Sequence, residues 1–149
     1  MNPHNIPDLK EFRHKTDLQI RFSDVDVLGH VNNTVYMAFY DTGKARYFTE
    51  MLRRPIRWDK VETVIANVDC AFIAPIFFGE RIAVYSKVSS VSERSFKLLQ
   101  VIADDSGAVK SACETVMVCF DPTTQESAPM PEHWREALDR EIISQKSEL

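Results

Sequence analysis

The sequence predicts an α+β fold in which an antiparallel sheet of about five strands wraps around one long central helix. Three observations carry this. From Asn32 or Asn33 the apolar residues take up helical spacing and cover nearly every side of the helix. A helix with no polar face belongs inside something. Beyond Trp58 the chain reads as β structure almost to Phe120. The resulting order is one strand, one long buried helix and about four antiparallel strands, which a strongly twisted sheet accommodates by curling about the helix.

Leu18, Ile20 and Phe22 alternate with Gln19 and Arg21, the period of a half-buried strand, so a first strand is expected from about Asp17 to Phe22. Turn-forming and helix-capping residues follow in Ser23–Asn33. In the helix, Tyr36, Phe39, Tyr40, Gly43, Tyr47 and Met51 share one stripe, while Met37, Ala38, Ala45, Phe48 and Leu52 occupy much of the opposite side. Gly43 lowers helix propensity but allows a neighbouring backbone to come close. Pro55 is expected to end the element. Strands are then expected at Val61–Ile73, Arg81–Val91, Ser95–Ala103 and Val109–Phe120, with a tight turn at Asp104–Gly107. After Asp121–Pro122, a terminal helix over about 131–146 carries Trp134, Leu138 and Ile142, with Pro131 in its first turn.

The 149 residues, 44% hydrophobic and 27% charged, suit one domain with a proper core. Four glycines and no internal repeat leave no place for a linker or a solenoid. The formal charge of −4 argues against nucleic acid as a partner, so any polyanionic ligand depends on a few local cations. The first fifteen residues are charged and contain two prolines where a secretory signal needs an apolar run, and no stretch has the length of a membrane span. A cytoplasmic protein is the expectation. Cys70, Cys113 and Cys119 form no C-x-x-C pair and have no histidine cluster beside them; they read as reduced strand residues, not metal ligands.

The chemistry concentrates between Asp24 and Arg46. Asp24 and Asp26 stand between a strand end and the first turn of the buried helix, whose free N–H groups and positive dipole end favour developing negative charge. A carbonyl bound there is polarised. A neighbouring carboxylate can attack its carbon or deprotonate a water that does, which makes an acyl-transfer site. A D-x-D alone is more often a cap or a turn; the longer string is what carries weight.

That string, with Asp24, Asp26, Gly29, His30, Val31, Asn32, Asn33, Tyr36, Asp41 and Arg46 in ungapped order, resembles the signature of the hot-dog-fold acyl-CoA thioesterases similar to 4-hydroxybenzoyl-CoA thioesterase. The family's element order covers residues 17 to about 122, and Pro75 with Gly79-Glu80 looks like its turn between the second and third strands. The resemblance implies hydrolysis of an acyl thioester without metal or organic cofactor. It assigns the catalytic carboxylate to Asp26 and the polarising main-chain N–H to a position at or near Asn33. Gly29, His30 and Tyr36 become pocket residues, Asp24 and Asp41 orienting groups, and Arg46 a partner for Asp41 or for a second subunit. Arg94 and Ser95 resemble the basic turn that some relatives use for the nucleotide of coenzyme A, although Glu93 departs from it. Acyl-CoA and acyl-carrier protein both stay open as substrates. A non-catalytic domain binding either one is the alternative, and a hydratase ranks lower because its acid–base arrangement is not found. The exposed sheet edge adds the expectation of a homodimer or homotetramer.

Overall fold

In the computed structural model, which describes residues 5–57 and 59–147, one long helix lies in the trough of a curled antiparallel sheet. The expected strand boundary at Trp58 and the first four residues of the polar N-terminal stretch fall outside the described residues. The strands are β1 (His14–Leu18), β2 (Thr63–Phe72), β3 (Ile82–Val91), β4 (Ser95–Asp104), β5 (Val109–Asp121) and a two-residue β6 (Glu126–Ser127); the helices are α1 (Val35–Leu52) and α2 (Glu132–Ser147). The sheet runs β1-β3-β4-β5-β2, antiparallel throughout, with β6 beside β5. The expected α+β architecture is the one observed. None of the described helices is long and apolar enough to cross a membrane.

The sheet-facing stripe of α1 is as anticipated. Tyr36, Phe39, Tyr40, Gly43, Tyr47 and Met51 are buried, and Lys44 joins them. The N-terminal half packs on Val84, Ile102 and Cys113, and the C-terminal half on Val88, Phe96, Leu98 and Met117. The helix is not enclosed all round. Met37 and Ala38 reach solvent, while Phe48 is covered by α2, its ring 5.2 Å from Trp134 in an edge contact. Arg53 ends the helix in the left-handed conformation, φ 57°, giving its N–H to the Glu50 and Thr49 carbonyls. The stop therefore falls before Pro55, at a cap that a non-glycine residue supplies.

The first strand is shifted from its expected place. It ends at Leu18, paired with Ile82, and Phe22 is in a 3-10 turn, Phe22–Asp24, with its side chain largely exposed. The buried Asp24 carboxylate causes this: Oδ2 accepts the Arg21 N–H at 2.8 Å and pulls the chain off the sheet edge. Alternation persists in Leu18 and Ile20, which both pack on the core, but the ladder has already stopped. An element that the sequence did not announce covers the outer face of the sheet. A 3-10 turn at Leu9–Glu11 delivers Phe12 onto Leu99, Val101 and Ala112.

Candidate active site

The segment from Asp24 to Asn32 folds as a small hairpin. Val25 bridges Val31, the Asn32 N–H donates to the Asp24 carbonyl at 2.9 Å, and the Asp26 N–H donates to the His30 carbonyl at 3.1 Å. Gly29 closes the tip: its N–H returns to the Asp26 carbonyl at 3.1 Å, and its φ of 86° is one that side chains rarely adopt. The hairpin is tied to the sheet by the Val31 N–H, which donates to the Ile76 carbonyl at 2.7 Å, and by a bridge from His30 to Phe77.

The two aspartates differ in their surroundings. Asp24 is buried and saturated, taking the Arg21 N–H and, at 3.2 Å, the Arg21 guanidinium. Asp26 is partly exposed; Oδ1 accepts the Leu28 N–H at 2.9 Å, and Oδ2 has no donor among the described residues. Asp24 is fitted to hold the loop. Asp26 keeps an oxygen for another proton or carbon.

Asn32 prepares the helix end. Its Oδ1 accepts the Thr34 N–H at 2.9 Å and the Thr34 hydroxyl at 2.8 Å, and its carbonyl accepts the Val35 N–H. The Asn33 carbonyl accepts the Tyr36 N–H at 3.4 Å. The Asn33 N–H itself meets no acceptor among the described residues, so a main-chain donor is left over at the positive end of an 18-residue helix. Asp26 lies opposite His30 on the hairpin, and Asn33 follows directly after its second arm.

Tyr36 is buried below this point, its ring 5.0 Å from Phe72 and 6.4 Å from Phe39. Burial, chiefly, raises its hydroxyl above the ordinary tyrosine range. The His30 ring stands edge-on to Phe77 at 6.1 Å. The hairpin thus carries one aromatic pair, His30 with Phe77, and the start of α1 carries another, Tyr36 with Phe72.

Arg94 and Ser95 are elsewhere. Ser95 pairs with Val118 and Thr63 with Cys119, at the end of the sheet away from Phe72 and Ser111. Within one chain the two ends are separated by the length of a ten-residue strand, about 30 Å. Arg94 donates to the Ser127 carbonyl at 3.0 Å, and the Ser95 hydroxyl is 2.6 Å from that of Ser92. Asp41 pairs with the buried Lys44 at 3.2 Å, and Arg46 is exposed. Sequence reading missed Lys44, because a lysine between apolar residues gives no signal of the direction it takes.

A carboxylate with a spare oxygen and an unused amide just before a helix N-terminus, with aromatic side chains nearby, are groups that can serve acyl-group chemistry. Residues 20–138 match the model of the thioesterase-like superfamily. The chain belongs to that superfamily, and by class it is a thioester hydrolase. The long-chain acyl-CoA thioesterase FadM of Escherichia coli is 24% identical over 132 residues, which cover 86% of this chain and 98% of FadM. Among solved structures, a predicted thioesterase from Bacillus stearothermophilus has a TM-score of 0.79 at 22% identity, over 86% of this chain and 95% of that one. A Thermus thermophilus thioesterase, solved with coenzyme A and zinc, has a TM-score of 0.78 at 24% identity, over 88% and 95%.

Proposed function

We propose that the protein is an acyl-CoA thioesterase in which Asp26 is the reacting carboxylate and the Asn33 N–H polarises the thioester carbonyl. The observation that carries this is the asymmetry of the hairpin. Both Asp24 oxygens are paired, whereas Asp26, on the hairpin that leads into α1, and the Asn33 N–H, just before the helix, each keep an unused valence. The carbonyl oxygen accepts from the helix-end amide, where developing negative charge is favoured. Asp26 takes a proton from water as the water oxygen bonds to the carbonyl carbon; the C–S bond then breaks, and the proton passes to the leaving thiolate. Direct attack by the carboxylate, with hydrolysis of the resulting anhydride, uses the same two groups. Gly29 sets the loop, and His30 and Tyr36 line the acyl pocket. Similarity to FadM and to a thioesterase solved with coenzyme A supports the CoA thioester as substrate.

The active form on this reading is a homodimer or a tetramer built from dimers. Ile65, Val68 and Phe72 on edge strand β2 are 48%, 40% and 52% exposed, and a second copy would cover them. Antiparallel pairing of two β2 edges would also carry one subunit's Arg94–Ser95 hairpin toward the other's helix end, where the CoA phosphates need a cation.

The test is release of free thiol from short, medium, long and aromatic acyl-CoAs by wild type and by Asp26→Asn. The variant is expected to melt with wild type and to lose about 10²–10⁴ in rate. Turnover at the wild-type rate would remove Asp26 from the mechanism. Saturable binding of acyl-CoA by wild type with no thiol released from any member of the panel would replace hydrolysis with binding.

A further inference from the structure

The sheet register sets two thiols against each other. Cys70 on β2 is the direct partner of Cys113 on β5. The Ile73 N–H donates to the Lys110 carbonyl at 2.9 Å, so Ile73 and Lys110 form a hydrogen-bonded pair. Alternation along the ladder then makes Cys70 and Cys113 a non-hydrogen-bonded pair, the kind in which Cα atoms are about 4.5 Å apart and side chains approach most closely. That separation is within the span a disulfide can bridge, about 4.4–6.8 Å between Cα atoms. Both side chains point to α1: Cys113 belongs to the core cluster with Tyr36 and Tyr40, and Cys70 packs against it. Cys119 is remote, buried opposite Thr63 near the other end of β5.

The surroundings distinguish the two thiols. Cys113 is buried and Cys70 is partly exposed. The Cys70 Sγ is 3.6 Å from the Ser111 Oγ, which donates to the Ala71 carbonyl at 2.9 Å and lies 2.6 Å from the Tyr40 hydroxyl. The contact with Cys113 is the largest cause that lowers the Cys70 thiol below its ordinary range, against burial and the charge of Asp69. Cys113 is pushed up, chiefly because it is the donor in the Cys70 contact, and burial pushes Cys119 up as well. Cys70 is thus the thiol that a small reagent reaches first, with Cys113 buried beside it.

We propose that Cys70 and Cys113 are a modification site for low-molecular-weight disulfides, which oxidise the pair to a cross-strand disulfide between β2 and β5. The Cys70 thiolate attacks one sulfur of the small disulfide; that S–S bond breaks, a mixed disulfide forms on Cys70, and one small thiolate leaves. Cys113 loses its proton and attacks the Cys70 Sγ, expelling the second small thiolate. The two cysteine thiols are oxidised, one small disulfide is reduced to two thiols, and the two cysteine protons end on those thiols. The product ties the edge strand to its neighbour below Tyr36 and Tyr40. Nothing in this pair depends on the thioester chemistry.

Cys70 lies between Val68 and Phe72, on the face that the proposed second copy would cover. The reduced full chain is therefore diluted to separate any dimer, incubated with oxidised glutathione near neutral pH, alkylated, and mapped by mass spectrometry under non-reducing conditions. The expected product is a Cys70 peptide joined to a Cys113 peptide, lighter by two hydrogens and separated again by dithiothreitol, with Cys119 still alkylated. In Cys113→Ser the first step has no successor, and a glutathione adduct accumulates on Cys70. The wild-type map decides without any variant. Three alkylated thiols after incubation, a linkage through Cys119, or a linkage between Cys70 residues of two copies would each overturn the proposal.

Discussion

Gly43 marks the nearest approach of α1 to the sheet. A Cβ at this position would meet Val84 Cγ1 at 2.5 Å and Cγ2 at 3.0 Å, with the Gln100 Nε2 at 3.1 Å. Neither neighbour can yield easily. Val84 is fully buried, and Gln100 is held beneath the helix by donating to the Tyr40 carbonyl at 3.1 Å and to the Ser86 hydroxyl at 3.0 Å. In an open helix Gly→Ala gains about 1 kcal/mol of propensity. Here the overpacking outweighs that gain, and Gly43→Ala is expected to destabilise the protein by about 1–3 kcal/mol. A lower denaturation midpoint with an unchanged slope against denaturant would show it. An equal or higher midpoint would mean that the helix can lift off the sheet at little cost. The sequence reading of Gly43 as a close-approach residue holds in part: what comes close is the side chains of Val84 and Gln100 and not a neighbouring backbone.

At the scale of elements, one carboxylate gathers several of the polar contacts that fasten α2, beside those of Arg135 to the Ser92 and Glu93 carbonyls and of Arg140 to the Met51 carbonyl. The Glu62 Oε2, just before β2, takes the Trp134 indole N–H at 2.8 Å and lies 2.9 Å from His133 Nε2 and 3.4 Å from the Arg54 guanidinium. Trp134 stacks on Phe96, and Leu138 fills the core beside it. Burial pushes the Glu62 carboxyl up, but the hydrogen bonds from His133 and Trp134 and the charges of His133 and Arg54 outweigh it and bring it below the ordinary value of 4.5. A carboxyl lowered in the folded state contributes stability that is present above its unfolded value and lost as pH falls through the folded one. Wild type is therefore expected to lose this contribution below about pH 4.5. Glu62→Ala, which leaves the indole N–H without its acceptor, is expected to cost about 1.5–3 kcal/mol at neutral pH and to flatten the acid limb of stability against pH. An acid limb as steep as that of wild type would assign the loss to other carboxyls. The latch was not legible in the sequence, because it joins residues about seventy positions apart through side-chain direction alone. The helices and the order of elements along the chain were legible, since the apolar spacing of α1 and α2 and the Asp104–Gly107 turn are local patterns; the order of strands within the sheet was not. The hairpin was legible as a string, but which aspartate keeps a free oxygen depended on the turn at Arg21–Asp24, and that turn also displaced the expected first strand.

Over the whole molecule, the sheet has two edges, β1 and β2. β1 is short, and a longer β2 is flanked by apolar surface. Val68 pairs with Thr115, Cys70 with Cys113 and Phe72 with Ser111, whose side chains face the helix. The exposed Val68 and Phe72 therefore lie on the trough side of the sheet. An apolar edge strand of this length left open invites pairing with another strand, and a second copy about a two-fold axis presents the same surface in return. Val68 is the residue to test, because it is central in the stripe and outside both the hairpin and the cysteine pair. Val68→Glu places a carboxylate that would be buried without a partner in the proposed dimer, at a cost of about 3–5 kcal/mol. That corresponds to a dissociation constant weaker by about 10²–10⁴-fold. In a single chain Val68 is already 40% exposed, so the fold should tolerate the change. Light scattering is expected to give a multiple of 17.1 kDa for wild type and a shift toward 17.1 kDa for the variant on dilution. Acyl-CoA hydrolysis should fall together with the mass, since separating the subunits removes the partner's Arg94 from the helix end. A variant that becomes monomeric and keeps full turnover would place the whole site within one chain, and a wild type of 17.1 kDa at working concentration would remove the dimer altogether.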